Sequence, residues 1–380
     1  MAYDIVRLEA GDYEELVDFI NMVFKIDFKV IMPRLYRPTD LSMSWQYAVK
    51  ENGKIRAAVG SIPMTYHIGD TALKVAGIGN VAVHGYHRSK GYMVELMNAA
   101  VDAMVAEGVD FSFLTGQRQR YQHFGYEICG TEYSVNFDSH NVKHIMPADF
   151  APAYTFEDLG KQTSETIDAA FEIHKGLPLR VERLREEFAE ALGTYAANPL
   201  IIFDKDRNVA GYLTLNRTSV SEIALRDESA LQTVLFSLIK ERQLRELSLT
   251  VASHEIEKLA RTIPICDGYS MNNAGNYRVF TFAKTVQAFL QFKVSYAPLL
   301  DGELIISSDL LGTYAISVSG GKAAVTETDK APDISLTGMD IYPFLFGTAS
   351  ANIFTAGSRH PELAISWFPL PLSFPAPDHV

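Results

Sequence analysis

The chain has 380 residues, 47% of them hydrophobic and 11% aromatic, with a mean hydropathy near zero. That length and composition provide for real cores in two or three domains and exclude a disordered chain. Forty-six acids against 34 bases give a net charge of −12, which repels nucleic-acid backbones and anionic membranes and attracts polycationic small molecules. No stretch reads as a signal core or a membrane span. Cys129 and Cys266 form no disulfide framework, so a reducing cytoplasm is expected.

In chain order, Val6 and Leu8 read as a strand, and Asp12-x-x-Glu15 as a capping box before a helix carrying Leu16, Phe19, Ile20, Val23 and Phe24 on one face. Glu51-Asn52-Gly53-Lys54 joins Gln46–Lys50 to Ile55–Ile62 in a hairpin, and Gly69-Asp70 joins Met64–Ile68 to Leu73–Ala76 in a second one. Val81-Ala82-Val83 is a short apolar strand. It runs through Arg88-Ser89-Lys90-Gly91 into a helix burying Met93, Leu96, Met97, Ala100, Val101 and Met104 and ending at Gly108. A strand at Phe111–Leu114 and the segment Tyr121-Gln122-His123-Phe124-Gly125-Tyr126 follow, and Pro and Ala thicken into a linker over 146–153.

Beyond it, helical faces appear around Ile167–His174 and from Val181 to Leu192. A hairpin over Leu200–Phe203 and Val209–Leu215, a strand over Val220–Leu225 and a helix with Leu231, Val234, Leu235, Leu238 and Ile239 complete this part. The last hundred residues turn to short strands at Glu303–Ser307, Tyr314–Val318 and Ala323–Thr326, then a helical stretch at Ile341–Phe346.

A strand, a basic glycine loop and a helix start make an anion site. Loop and first-turn N–H groups point at one spot, the helix dipole adds to them, and Arg88 and Lys90 supply full charges. Arg88-Ser89-Lys90-Gly91-Tyr92-Met93 resembles the acetyl-CoA loop of the GNAT acetyltransferases, Gln/Arg-x-x-Gly-x-Gly/Ala, with Met93 departing from the usual small residue. The Tyr121–Tyr126 segment is similar to the Y-x-x-F-G-Y/F run of that superfamily. The order of parts resembles the enhanced-intracellular-survival (Eis) type.

That resemblance implies an α+β (α/β) architecture of three domains. These are a GNAT acetyl-CoA-binding domain over 1–147, a degenerate second GNAT-like mixed-sheet domain over 148–284, and a sterol-carrier-like α+β domain over 285–380 whose tail reaches the active site. In the second half Arg226-Asp227-Glu228-Ser229-Ala230 replaces the basic loop. Two carboxylates at a helix start repel a pyrophosphate, so one acetyl-CoA site per chain is expected.

Acetyl transfer to an amine needs a deprotonated amine, donors for the oxyanion and a proton for the departing thiolate. By resemblance Tyr121 is the general acid, and a phenol near pKa 10 is protonated at neutral pH; packing against the sheet is its other reading. Tyr126 reads as core. The terminal carboxylate of Val380 is implied to face the amine, and the proline-rich tail from Trp367 is stiff enough to thread inward. An α-carboxylate is about five pKa units too weak to take the proton outright, roughly 7 kcal/mol uphill, so Val380 anchors the ammonium, with Asp378, His379 or water assisting. Asn80, Val81, Ala82 and Val83 are expected along the pantetheine arm, with Asn80 beside the thioester and an N–H near Val81 facing the oxyanion; Arg88, Ser89, Lys90, Gly91, Tyr92 and Met93 are expected at the pyrophosphate.

His84, His87 and His123 match no metal spacing, and no metal is expected. The expected activity is transfer of acetyl from acetyl-CoA to a primary amine of a small polycation or a lysine, in a homo-oligomer as the resemblance implies. The other reading is a lipid-binding protein with a vestigial acetyltransferase half, motivated by the apolar run Ile341–Phe346.

Overall fold

The structure, a computed structural model, describes residues 3–348, 350–355 and 357–380. It is a mixed α/β protein built on three sheets. The strands are β1 (Asp4–Arg7), β2 (Gln46–Glu51), β3 (Lys54–Ile68), β4 (Thr71–Val83), β5 (Phe111–Leu114), β6 (Glu127–Cys129), β7 (Glu132–Asp138), β8 (Thr155–Asp158), β9 (Leu179–Val181) and β10 (Asn198–Phe203). They continue as β11 (Val209–Asn216), β12 (Ser219–Leu225), β13 (Glu246–Ala252), β14 (Gly268–Asn272), β15 (Gly275–Val279), β16 (Gly302–Ser308), β17 (Gly312–Ser319), β18 (Lys322–Glu327) and β19 (Ile334–Leu336). The longer helices are α1 (Tyr13–Phe24), α2 (Tyr92–Ala106), α3 (Ser164–Lys175), α4 (Leu231–Glu241) and α5 (Phe282–Tyr296).

The first sheet runs β1-β2-β3-β4-β5-β15-β6, with β9 also paired to β3; the second runs β14-β7-β13-β12-β11-β10-β8; the third runs β18-β17-β16-β19. Sheet membership crosses the expected division at residue 147, whereas every strand beyond residue 284 lies in the third sheet. Strand β7, from before the first division, lies in the second sheet, while β9 and β15 return from beyond it to the first. Helix α5 lies between the first and third sheets, where Val286, Phe289 and Leu290 share one apolar cluster with Tyr66, Phe111, Ile316 and Trp367.

Three local expectations are corrected. The two hairpins share a strand, because Ile55–Ile62 and Met64–Ile68 are one continuous β3 of 15 residues that pairs with β2 on one side and with the 13-residue β4 on the other, and Pro63 stays in the ladder opposite Ala76. Asp12 does not box with Glu15. Its carboxylate accepts from Glu9 N and pairs with Lys50 at 2.6 Å, while Glu15 accepts from Ile55 N, so both acids serve tertiary contacts. The helix expected over 181–192 shrinks to Phe188–Leu192, since Leu179–Val181 is captured as an edge strand by β3.

The C-terminal tail from Trp367 binds all three parts. Lys293 Nζ donates to the carbonyls of Trp367 and Pro369 at 3.1 and 3.0 Å, Thr131 N to Leu372 O at 2.9 Å, and Tyr66 Oη to Ser373 O at 2.7 Å. Asp378 and Arg183 are then wholly buried together, 2.6 Å apart, and Arg183 also grips Glu222 of β12 at 2.7 Å. Arg34 completes the cage at 3.4 Å. Tyr212 Oη donates to Glu222, and the His174 ring donates from Nε2 to Val181 O at 3.0 Å.

Breaking a buried pair by removing one partner leaves an uncompensated charge, at a cost of about 3–5 kcal/mol. Arg183→Met is expected to lower the free energy of urea unfolding by about that much; a change under about 1 kcal/mol would show the pair to be idle. The same cluster sets a pH dependence. Burial and then the Arg183 charge hold His174 down at about 4, against an ordinary value of 6.5. Burial works against the Glu222 carboxylate, but Arg183 overrides it and holds the group at about 2, from 4.5. Both folded values lie below the unfolded ones, so this stability is complete above pH 6.5 and drains as pH falls, first through 4 and then toward 2. Urea titrations between pH 7 and 4 are expected to show falling stability, with a shallower slope in His174→Gln; equal slopes would contradict this.

Candidate active site

Strands β4 and β5 are parallel and paired only over Val75–Gly77 and Phe111–Phe113. Beyond Gly77 they part, and β4 continues to Val83 bonded to β3 alone. The cause is local. Gly60 pairs with Gly79 and Ala58 with Ala82, so Asn80 and Val81 together oppose Val59, a bulge in which Asn80 takes φ +40°. Asn80 donates from Nδ2 to Gln46 of β2 at 3.1 Å, and its Oδ1 occupies the space a Cβ on Gly60 would need. The β5-facing backbone groups of residues 78–83 are left without a strand partner. Side chains alternate along β4, so Ile78 faces α2 while Gly77 and Gly79 open the opposite face.

At the end of β4 the chain turns through Gly85–His87 into Arg88-Ser89-Lys90-Gly91, all exposed. Ser89 and Gly91 take φ +65° and +85°, and Gly91 caps α2 with no side chain on the first-turn N–H groups. Arg88 has no acidic partner among the described residues. The Lys90 ammonium lies 3.3 Å from the buried Glu51 carboxylate, which also pairs with His87 at 2.8 Å. Both loop cations are present, and of the two Arg88 alone is without an acidic partner among the described residues. Tyr92 is buried against Tyr3, and Met93 packs half-buried on the α2 cluster that also receives Val81 and Val83; Ala82 belongs to the cluster of α1.

Tyr121 ends a short turn of helix and lies in the same cluster as Val81, Tyr92 and Leu96, its ring over Gly116. The buried Glu127 clamps that turn by accepting from Arg118 Nε at 2.5 Å and Gln122 Nε2 at 2.6 Å, and Arg278 of β15 donates to Phe124 O at 2.6 Å. Burial pushes the Tyr121 phenol up from its ordinary value of 10, with Arg120 opposing, so it is fully protonated at neutral pH. Tyr126 is core, wholly buried with its hydroxyl 2.8 Å from Ser112 Oγ.

The chain terminus lies on the open face of β4. A Cβ on Gly79 would meet the Val380 carboxyl carbon at 2.9 Å, and one on Gly77 would meet Val380 Cγ2 at 2.6 Å. Tyr195, itself at φ +59°, donates its hydroxyl to the Val380 carboxylate at 3.5 Å. Asp378 is spent on Arg183. His379 is half-buried between Phe113 and Phe374 with Nε2 donating to Phe374 O at 3.2 Å, and desolvation lowers its pKa. Val380 is thus the one acidic group of the tail's last three residues left facing the β4 surface.

Residues 4–129 match the acetyltransferase (GNAT) domain family. This stretch is a GNAT acetyltransferase domain. Solved structures extend the likeness to the whole chain. A GCN5-related N-acetyltransferase from Kribbella flavida is 15% identical with a TM-score of 0.71, covering 98% of this chain and 99% of that one. One from Anabaena variabilis is 16% identical with a TM-score of 0.68 and 97% coverage of both. Eis1 from Mycobacterium abscessus is 14% identical with a TM-score of 0.67, covering 99% and 100%. At these identities the likeness is one of fold. No curated protein matches in sequence. Domain and fold together are those of an N-acetyltransferase enzyme.

Among the described residues no three His, Cys, Asp or Glu side chains converge as a metal would require, and no helix is long and apolar enough to cross a membrane. The run Ile341–Phe346 is packed in the apolar cluster between the first and third sheets, where it lies against β6 and Tyr342 Oη accepts from Val279 N of β15 at 3.2 Å. Sequence reasoning missed Arg183, Arg34, Glu222 and Tyr195, which hold the tail and its terminus; each lies far in sequence from what it touches, and no local pattern marks it.

Because Val380 rests on Gly79, a methyl group there must displace it. Gly79→Ala is expected to make Val380 markedly more susceptible to carboxypeptidase than in the parent chain, while Gly85→Ala, which meets nothing, leaves it unchanged. Equal release from both variants would mean that the terminus does not occupy this surface.

Proposed function

We propose that the protein transfers the acetyl group of acetyl-CoA directly to a primary amine of a small cationic molecule or a lysine side chain. The observation that carries this reading is the parting of β4 from β5 beside an uncapped, glycine-led helix start, with the chain's own carboxylate on the adjoining face. In this reading the N–H groups of Gly91, Tyr92 and Met93 and the Arg88 guanidinium hold the pyrophosphate, with Ser89 shaping the loop and Lys90 set by Glu51 as a more distant charge. Backbone groups of residues 80–83 bond the pantetheine arm as an added strand would, and an N–H near Val81 stabilises the oxyanion.

The Val380 carboxylate anchors the incoming ammonium and Tyr195 keeps it aimed. The amine sheds its proton to water or a second base, since the carboxylate alone is too weak. Attack on the thioester carbonyl forms the amide, the C–S bond breaks, and Tyr121 gives its proton to the leaving thiolate. Orientation of the two substrates supplies much of the rate, with no covalent enzyme intermediate. The second half, with Asp227 capping its helix by accepting from Ser229 N, repels a second pyrophosphate in this reading.

Two variants separate binding from chemistry. Arg88→Ala is expected to weaken acetyl-CoA binding by calorimetry about tenfold, the worth of one charge-assisted contact. Tyr121→Phe is expected to keep that affinity and to lower kcat, followed by thiol release with a panel of amines, by about a hundredfold or more. Unaltered turnover in Tyr121→Phe removes the phenol from the reaction; an absence of saturable acetyl-CoA binding by the parent chain removes the reading itself.

A further inference from the structure

The second sheet repeats the geometry of the first. Strands β12 and β13 are parallel and paired only over Ser219–Val220 and Ser248–Leu249, then part. Strand β12 carries its own bulge there, because Leu215 pairs with Val220 and Thr214 with Glu222, leaving Ser221 extra. In the first sheet the tail's last residue lies across the opening. In the second the opening holds a cavity of about 380 Å³. Its walls are Ser221–Ile223 of β12, Thr250 and Ala252 of β13, the 254–258 segment, and Ser373–Ala376 of the tail, with Tyr66 and Tyr296 among its aromatic lining.

The chemistry of the lining is the reverse of the acetyl-CoA loop. Five carboxylates, Glu132, Glu222, Glu228, Glu255 and Glu257, line it against one lysine, Lys258. Two of them are satisfied within the protein, Glu222 by Arg183 and Glu255 by Lys258, and Glu257 pairs outward with Arg261. Glu132 has no side-chain partner among the described residues. Glu228 Oε2 and His254 Nδ1 are sealed from solvent with no hydrogen-bond partner. Burial raises the pKa of both Glu132 and Glu228, and at Glu228 it outweighs the Lys258 ammonium 3.9 Å away. The remaining wall is apolar, from Leu177, Leu179, Ile223, Ile256 and Phe374.

We propose that this cavity is a second ligand site, and that it takes an organic ammonium ion with a hydrophobic body. The volume is that of a small-molecule pocket, and a few convergent polar groups in apolar walls fix a ligand's orientation. An ammonium supplies the counter-charge Glu132 lacks and adds to the distant one that Lys258 gives Glu228 at 3.9 Å. The site is separate from the proposed reaction centre. No residue of that centre lines the cavity. At its far wall Tyr66 stands six residues along β3 from Gly60, the partner of Gly79, about 20 Å at strand rise, while the tail wall approaches the centre through Phe374 stacked on Phe113. The tail segment that forms one wall continues to Val380, so an occupant leans on the same strap that presents the terminal carboxylate.

Calorimetric titration of the full chain with benzyltrimethylammonium chloride tests this without relying on acetyl transfer, because the probe has no lone pair to acetylate. Saturable binding at one site is expected. It should weaken at least tenfold in the Glu132→Gln, Glu228→Gln double variant, vanish in Thr250→Trp, which fills the cavity, and persist in a chain lacking Val380. Circular dichroism and retained acetyl-CoA binding report folding of each variant, and the charge-neutralising pair carries the test should the tryptophan disturb the sheet. No binding by the parent chain overturns the proposal. So does binding that both cavity variants keep and the Val380 deletion loses, since that places the probe at the chain terminus.

Discussion

Placing one buried aspartate between two arginines decides where this polypeptide ends. Asp378 has no solvent, and its charge is tolerable only because Arg183 and Arg34 face it. Arg183 is itself pinned to Glu222 on the second sheet, so the tail from the third sheet is tied to the second just two residues before it meets the first. From Asp378 the chain has length only to lay Val380 on Gly77 and Gly79. The glycines are a consequence: any side chain there would contest the space. A C-terminus is ordinarily the loosest part of a domain. Here hydrogen bonds from Lys293, Thr131 and Tyr66 fix it along its whole path.

The two parted strand pairs show how one backbone device acquires opposite chemistry. In each, a bulge turns a parallel strand away from its neighbour and leaves an opening. Beside the first, Gly91 leaves the first turn of α2 bare and Arg88 waits without a counter-ion, an environment for anions. Beside the second, Asp227 has already taken the N–H of Ser229, and glutamates crowd the gap. Backbone geometry sets where a ligand fits, and a handful of side chains sets its sign.

What the sequence made legible is what is local. The span from Val81 through Gly91 to Met104 was readable because strand, loop and helix are contiguous and each residue acts near its own position. The Tyr121–Tyr126 segment was legible for the same reason, and Ile341–Phe346 matched its helix to the residue. The Arg183–Asp378 pair, 195 residues apart, was not, because burial of a charge is paid for by a partner that no local spacing announces. Nor was the return of β15 to sit between β5 and β6, since pairing of distant strands is settled by the shared core rather than by either strand's pattern. Lys90 shows what a local reading leaves out. Its position in a basic loop suggested a free charge, and only the fold brings the buried Glu51 beneath it. Helix α5 was there to be read, with Phe282, Val286, Phe289 and Leu290 on one face; its position between two sheets was not.

A crystal structure of the full chain with CoA bound is the most direct measure of the central claim, that a strapped terminus and a parted strand pair bring acceptor and donor together. The account predicts the diphosphate on the N–H groups of Gly91–Met93 with Arg88 folded over it, the thiol in the gap between β4 and β5, and Val380 still seated on Gly79. A diphosphate bound elsewhere, or a terminus driven off β4 by the bound CoA, would contradict it.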